Sequence, residues 1–117
     1  SMFAARRVLE KAGHRVTGAT DGSQVLQLLR KDDFDLILMD VQLPVMDGVQ
    51  ATSLIRNDPS LGAKARIPII AMTAYAMSGD REKFLAEGMD DYIAKPFSAT
   101  DLLHVLNRTG ICLPTNS

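Results

Sequence analysis

Leu36-Ile37-Leu38-Met39 is a short apolar run with no polar alternation, and it stops on Asp40. A strand that shows one face to water alternates polar and apolar residues. A strand covered on both faces does not, so this run reads as part of a parallel sheet packed between helices. Two more runs behave the same way: Ile67-Pro68-Ile69-Ile70-Ala71-Met72 ends on Thr73, and Asp91-Tyr92-Ile93-Ala94 ends on Lys95-Pro96. Segments with helical periodicity separate them. Strands and helices alternating at these short intervals predict an α/β fold, a doubly wound parallel sheet with helices on both faces.

The intervening segments give five expected helices. Residues 3–12 place Ala5, Val8, Leu9 and Ala12 on one face, and Gly13 ends them. His14–Gly18 is a short strand candidate around Val16. Asp21 caps a helix to about Lys31 with Val25, Leu26 and Leu29 inward. Pro44, Asp47 and Gly48 break the chain after Asp40, and Asp47 caps a helix over residues 49–57 that buries Ala51, Leu54 and Ile55. Residues 58–62 read as loop. Ser78 or Asp80 opens a helix through Glu87, with Phe84 and Leu85 facing the core and Gly88 stopping it. Ser98-Ala99-Thr100-Asp101 resembles a capping box and opens a last helix to about Thr109, packing Leu102, Val105 and Leu106. Residues 110–117 form a tail. Four strands and five helices in 117 residues make one domain, with its core over about residues 3–109.

Composition narrows the function classes. A formal charge of −1 argues against a general nucleic-acid footprint. The single cysteine, Cys112, excludes an internal disulfide and suits a reducing compartment. No apolar run approaches membrane-spanning length and no secretory pattern opens the chain, so the expected location is cytoplasmic. His14 and His104 have no acidic or cysteine neighbours at ligand spacing and read as surface residues. The methionines read as core filler.

Parallel strands share a direction, so Asp40, Thr73 and Lys95 meet at one edge of the sheet. In open α/β sheets that edge is where ligands gather. A carboxylate can act as a nucleophile toward phosphorus and carry an acyl phosphate. Lysine supplies a compact cation for the added charge, and threonine a hydroxyl that can turn toward a phosphoryl oxygen. Phosphoryl transfer also calls for a divalent cation, and magnesium prefers several oxygen ligands.

Taken together, D-L-I-L-M-D-V-Q-L-P-V-M-D-G, P-I-I-A-M-T-A and G-M-D-D-Y-I-A-K-P-F resemble the receiver domain of two-component response regulators, particularly receivers attached to hybrid histidine kinases. Three linked motifs in order carry the resemblance from the first helix to about residue 109. The resemblance implies a flavodoxin-like fold and a signalling module rather than an enzyme. It implies Asp40 as the phosphoacceptor, Thr73 as the switch hydroxyl, Lys95 as the phosphoryl contact and Tyr92 as the switch aromatic. It further implies a cis Lys95-Pro96 peptide, a magnesium ion held in part by Asp40 and the Gln42 carbonyl, and a small residue, Ala74, beside the acid. The implied partner is a histidine kinase or a histidine phosphotransfer domain. An aspartate-nucleophile phosphatase is disfavoured because Gln42 stands where that chemistry needs a second acid, and a flavin carrier because no phosphate loop follows any strand.

One departure stands out. Receivers begin with a buried strand that ends in an acidic pair holding the magnesium, and this sequence starts inside the first helix. In the strand order 2-1-3-4-5 the absent strand lies between its second and third, so its loss opens a gap of about 9–10 Å in the sheet. Three closures are expected candidates: collapse of His14–Gly18 onto Leu36–Met39, lodging of the tail Ile111–Leu113, or strand exchange between two copies in a homodimer. Association of copies is the favoured one, and the magnesium site is expected to be incomplete.

Overall fold

The computed structural model describes residues 2–41, 48–74, 77 and 79–111. Three parallel strands, β1 (Ile37–Asp40), β2 (Ile69–Thr73) and β3 (Asp91–Ala94), lie side by side in that order. Five helices surround them: α1 (Met2–Lys11), α2 (Gly22–Lys31), α3 (Gly48–Arg56), α4 (Asp80–Ala86) and α5 (Ala99–Thr109). Every residue of β2 is buried, which explains why its sequence shows no alternation. Ile69 and Ala71 turn to one face, against Leu29 of α2, Ala51 and Ile55 of α3 and Phe84 of α4. Ile70 and Met72 turn to the other, against Leu102, Val105 and Leu106 of α5, with Val8 and Leu9 of α1 completing the cover. Ile55, Ile69 and Ile70 are fully buried, worth about 1.5–3 kcal/mol each in transfer free energy.

Local signals set the helix boundaries. Asp21 accepts a hydrogen bond from the Gln24 N–H and caps α2. At α5 the capping box is complete: Ser98 Oγ accepts from the Asp101 N–H at 3.1 Å, and Asp101 Oδ2 accepts from the Ser98 N–H at 2.9 Å. Gly88, at φ 98°, turns the chain out of α4 in a conformation that side-chain-bearing residues avoid. Below the sheet, Arg56 donates to the carbonyls of Gly88, Ala65 and Ile67 and to Asp90, tying α3 to the loops that feed β2 and β3.

The structure corrects several sequence expectations. Residues 14–19 form no strand, so the sheet has three strands among the described residues, not four. Among the described residues no strand lies beside them, so their backbone has no ladder partner. Leu54 and Leu85 are exposed, at 44% and 41%. α3 and α4 are short and touch the core along one stripe, which Ala51, Ile55 and Phe84 occupy; a neighbouring residue is rotated about 100° away from it. Ala12 is exposed as well. Of residues 58–62, read as loop, Asp58 caps and the rest open a 3₁₀ stretch, Pro59–Arg66, interrupted at Gly62 and anchored by buried Leu61 and Ala65. The expected caps Asp47 and Ser78 lie outside the described residues, as do Cys112 and the rest of the tail beyond Ile111. Gly79 precedes α4 without a side-chain cap.

Candidate functional site

The carboxyl ends of all three strands lie on one rim. Asp40 pairs in register with Met72, one residue short of Thr73, and Thr73 pairs with Ala94, one residue short of Lys95. The Lys95 N–H donates to the Thr73 carbonyl at 2.8 Å, and the Val41 N–H to the Met72 carbonyl at 3.2 Å, so the ladder runs to the edge. Lys95 follows β3, yet its Nζ lies 3.0 Å from Asp40 Oδ2 at the end of β1. β1 and β3 lie two strand spacings apart, roughly 10 Å, so the Lys95 stem and the Asp40 side chain together bridge the end of β2. Thr73 stands at that crossing, only 4% exposed. Lys95-Pro96 is cis, as expected.

Gly48 explains how α3 can sit so close to the acid. A Cβ there would lie 2.8 Å from Met39 Cγ and 3.1 Å from both the Asp40 carbonyl oxygen and Val41 Cα. The first turn of α3 thus rests directly on the backbone that carries Asp40. The sequence marked Gly48 as a chain breaker; the close approach is the physical reason glycine suits the position.

Tyr92 lies on the next tier down, half-buried. Its ring centroid is 6.0 Å from that of Phe84, and the Arg108 guanidinium lies 5.3 Å from its own centroid. Arg108 is held there by Asp91, a fully buried carboxylate that receives its Nε at 2.8 Å and its Nη2 at 2.7 Å. Thr109 Oγ1 donates to Asp91 at 2.6 Å, and the Tyr92 N–H at 2.8 Å. Burial alone would raise the Asp91 pKa; the Arg108, Thr109 and Tyr92 hydrogen bonds outweigh it and hold the carboxyl below the usual range. Bonded to Asp91, Arg108 is held above its ordinary value. The sequence reading missed this cluster. Its one available signal was an acid opening an otherwise buried strand.

Gln42 lies outside the described residues. Among those described, no cluster of three acidic, histidine or cysteine side chains could hold a metal ion. Among the described residues the rim offers one carboxylate, Asp40, already against a lysine. That donor set does not match the several hard oxygens magnesium needs.

A cavity of about 660 Å³ lies beside β1. Residues 14–19 and residues 36–40 are among those that line it. Collapse of the His14–Gly18 segment onto β1 has not occurred. Ile111 packs against the α5-side cluster, and the rest of the tail segment Ile111–Leu113 lies outside the described residues.

The chain matches the response regulator receiver domain family over residues 1–107, and it belongs to that family. Among curated relatives, hybrid signal transduction histidine kinase G of Dictyostelium discoideum is 48% identical over 100 residues, covering 85% of this chain and 3% of that protein. Sensor protein GacS of Pseudomonas syringae pv. syringae is 39% identical over 114 residues, covering 97% of this chain and 13% of the relative. The chain therefore spans a small part of the curated relatives it matches. Among solved structures, the receiver domain of a sensor histidine kinase from Pseudomonas aeruginosa PAO1 is 43% identical with a TM-score of 0.76, over 93% of this chain and 88% of that one. That receiver has a magnesium ion coordinated in its active-site cleft. A flavodoxin-like receiver fold and a place in two-component signalling, as a module and not a conventional enzyme, follow from this membership.

Proposed function

We propose that this receiver takes a phosphoryl group from a phosphohistidine onto Asp40 and uses the added charge to reshape a partner-binding surface. The carrying observation is the contact between Lys95 Nζ and Asp40 Oδ2 across the end of β2, beside Thr73. An Asp40 oxygen attacks phosphorus, the phosphorus–nitrogen bond of the donor breaks, and the electron pair leaves with the imidazole, which takes up a proton. Lys95 then exchanges the carboxylate for a phosphoryl oxygen of the acyl phosphate, and the Thr73 hydroxyl is the donor at the end of the middle strand. Movement of Thr73 would be passed to Tyr92 and so to the surface of α4, β3 and α5. The donor is a histidine kinase or a histidine phosphotransfer domain, in keeping with relatives that are parts of hybrid and sensor kinases, and we place the domain in the cytoplasm with them.

The test is transfer from a phosphorylated histidine phosphotransfer domain in magnesium-containing buffer, read by intact-mass spectrometry. Wild type gains one phosphoryl group and Asp40→Asn gains none. A second reading, an interaction module that keeps the fold without the chemistry, is favoured by the meagre metal donor set among the described residues. A folded wild type that gains no phosphoryl group, yet binds the phosphotransfer domain as tightly as Asp40→Asn does, would establish it.

A further inference from the structure

We propose that Arg108 is the positioning residue of the Tyr92 ring: clamped to Asp91, its guanidinium holds the ring in the orientation seen here and opposes the turn that phosphorylation of the rim favours. The hold on the ring is a matter of geometry alone. Its consequence for signalling rests on the reading of Asp40 as phosphoacceptor.

Strand alternation gives the first part of the argument. β3 is an outer strand of the sheet among the described residues. Ile93 faces α5, packed with Leu102, Val105 and Leu106. Tyr92, its neighbour in the chain, therefore faces the other side, against the cluster that contains Ala71 and Phe84. Arg108 belongs to α5, across the sheet from the ring. Its side chain passes round the edge of β3, and its guanidinium carbon comes to 5.3 Å from the ring centroid. Phe84 of α4 flanks the same ring at 6.0 Å. The ring thus has a neighbour from each of two helices on opposite faces.

The clamp is rigid. Arg108 donates through Nε and Nη2 to the two oxygens of Asp91, at 2.8 and 2.7 Å, and Nη2 also reaches the Tyr92 carbonyl at 3.2 Å. Asp91 is fixed in turn: it is fully buried, Thr109 Oγ1 and the Tyr92 N–H donate to it, and Arg81 of α4 lies 3.6 Å away. A planar fork bound at both prongs cannot follow a ring that turns. The contact over the ring is therefore made in one orientation and lost in another, which is the difference a group needs to bias a two-state equilibrium. A cation–π contact at a half-exposed site corresponds to a factor of about two to five in population.

The strand register shows where the ring can go. Tyr92 pairs with Ala71, and Ala94 with Thr73, so Thr73 stands on the ring's face of the sheet, one tier or roughly 7 Å nearer the rim. The other two positions of that patch are alanines, whose side chains end at Cβ. The strands themselves put no bulk between the ring and Thr73.

The test uses the intact chain labelled with 3-fluorotyrosine. It contains two tyrosines, and a Tyr75→Phe chain assigns their signals. Exchange-sensitive fluorine NMR reads the minor orientation of Tyr92 before any phosphorylation. Arg108→Lys keeps a cation for Asp91 but loses the fork, so the minor population should rise about two- to fivefold over wild type. In transfer from the phosphohistidine donor, the equilibrium share of phosphoryl groups held by the chain should rise by a similar factor, because the coupling is reciprocal. That rise should vanish in a Tyr92→Ala background, where Arg108 has no ring to hold. An unchanged minor population would overturn the proposal. So would an unchanged share in a chain that does become phosphorylated, or a rise that persists in Tyr92→Ala. A wild type that gains no phosphoryl group counts against the Asp40 reading instead, and the fluorine measurement still decides the role of Arg108. If Arg108→Lys fails to fold, Asp91→Asn combined with Arg108→Gln removes both charges together and must raise the same minor population.

Discussion

Replacing Gly48 by alanine places one methyl group where α3 rests on β1, and the structure gives the scale of the response. The new carbon would sit 2.8 Å from Met39 Cγ, which must move, and 3.1 Å from the Asp40 carbonyl oxygen and from Val41 Cα, which belong to backbone. Met39 is 3% exposed, so its side chain has little room to retreat. Overpacking of this kind costs about 1–3 kcal/mol. Alanine recovers part of that, up to about 1 kcal/mol, through its better helix propensity. The expected net loss is about 1–2 kcal/mol, and with a urea slope of about 2 kcal/mol/M the midpoint falls by roughly 0.5–1 M. Gly18→Ala is the control, since a Cβ there meets only Arg6 Nη1 at 3.9 Å. Its unfolding midpoint should stay put or rise slightly. Urea titration by far-ultraviolet circular dichroism measures both. If Gly48→Ala unfolds at or above the wild-type midpoint while Gly18→Ala is unchanged, the close approach of α3 to Asp40 is not a constraint and the reasoning fails.

Other expectations are more compact. Arg108→Ala removes two hydrogen bonds from a carboxylate with no exposure to solvent; Thr109, the Tyr92 N–H and the Arg81 ion pair at 3.6 Å remain, so the loss should be about 2–3 kcal/mol in urea unfolding, below the 3–5 kcal/mol of a fully stranded charge. Because folding lowers the Asp91 pKa, its contribution is present above the unfolded value, near 4, and is lost as pH falls through and below it. Thermal melts between pH 7 and pH 3 should therefore show a steeper decline for wild type than for Asp91→Asn; parallel curves would contradict the assignment. Lys95→Met should fold normally, since the Lys95–Asp40 pair is partly solvated, while its acceptance of phosphoryl groups falls at least tenfold in the transfer assay.

The sequence made the layered fold legible because its strongest signals were local. Unalternating runs ending at Asp40, Thr73 and Ala94 could only be strands covered on both sides, and the Ser98–Asp101 box opened α5 as expected. The rim was legible for the same reason: parallel strands fix which ends meet. What escaped was long-range. Whether His14–Gly18 ladders depends on a neighbour, not on its own residues, and no pattern in that segment reports what lies beside it. Leu54 and Leu85 look inward by composition but fall outside the narrow stripe that a short helix buries. Arg108 and Asp91 are 17 residues apart, on different elements, and neither signals the other in the chain.

The most direct measurement of the central claim is the mass of the intact chain, with peptide mapping, after exposure to a phosphorylated histidine phosphotransfer domain. The account predicts one added phosphoryl group, on Asp40, absent from Asp40→Asn and much reduced in Lys95→Met. A phosphoryl group found on another residue, or retained by Asp40→Asn, would contradict it.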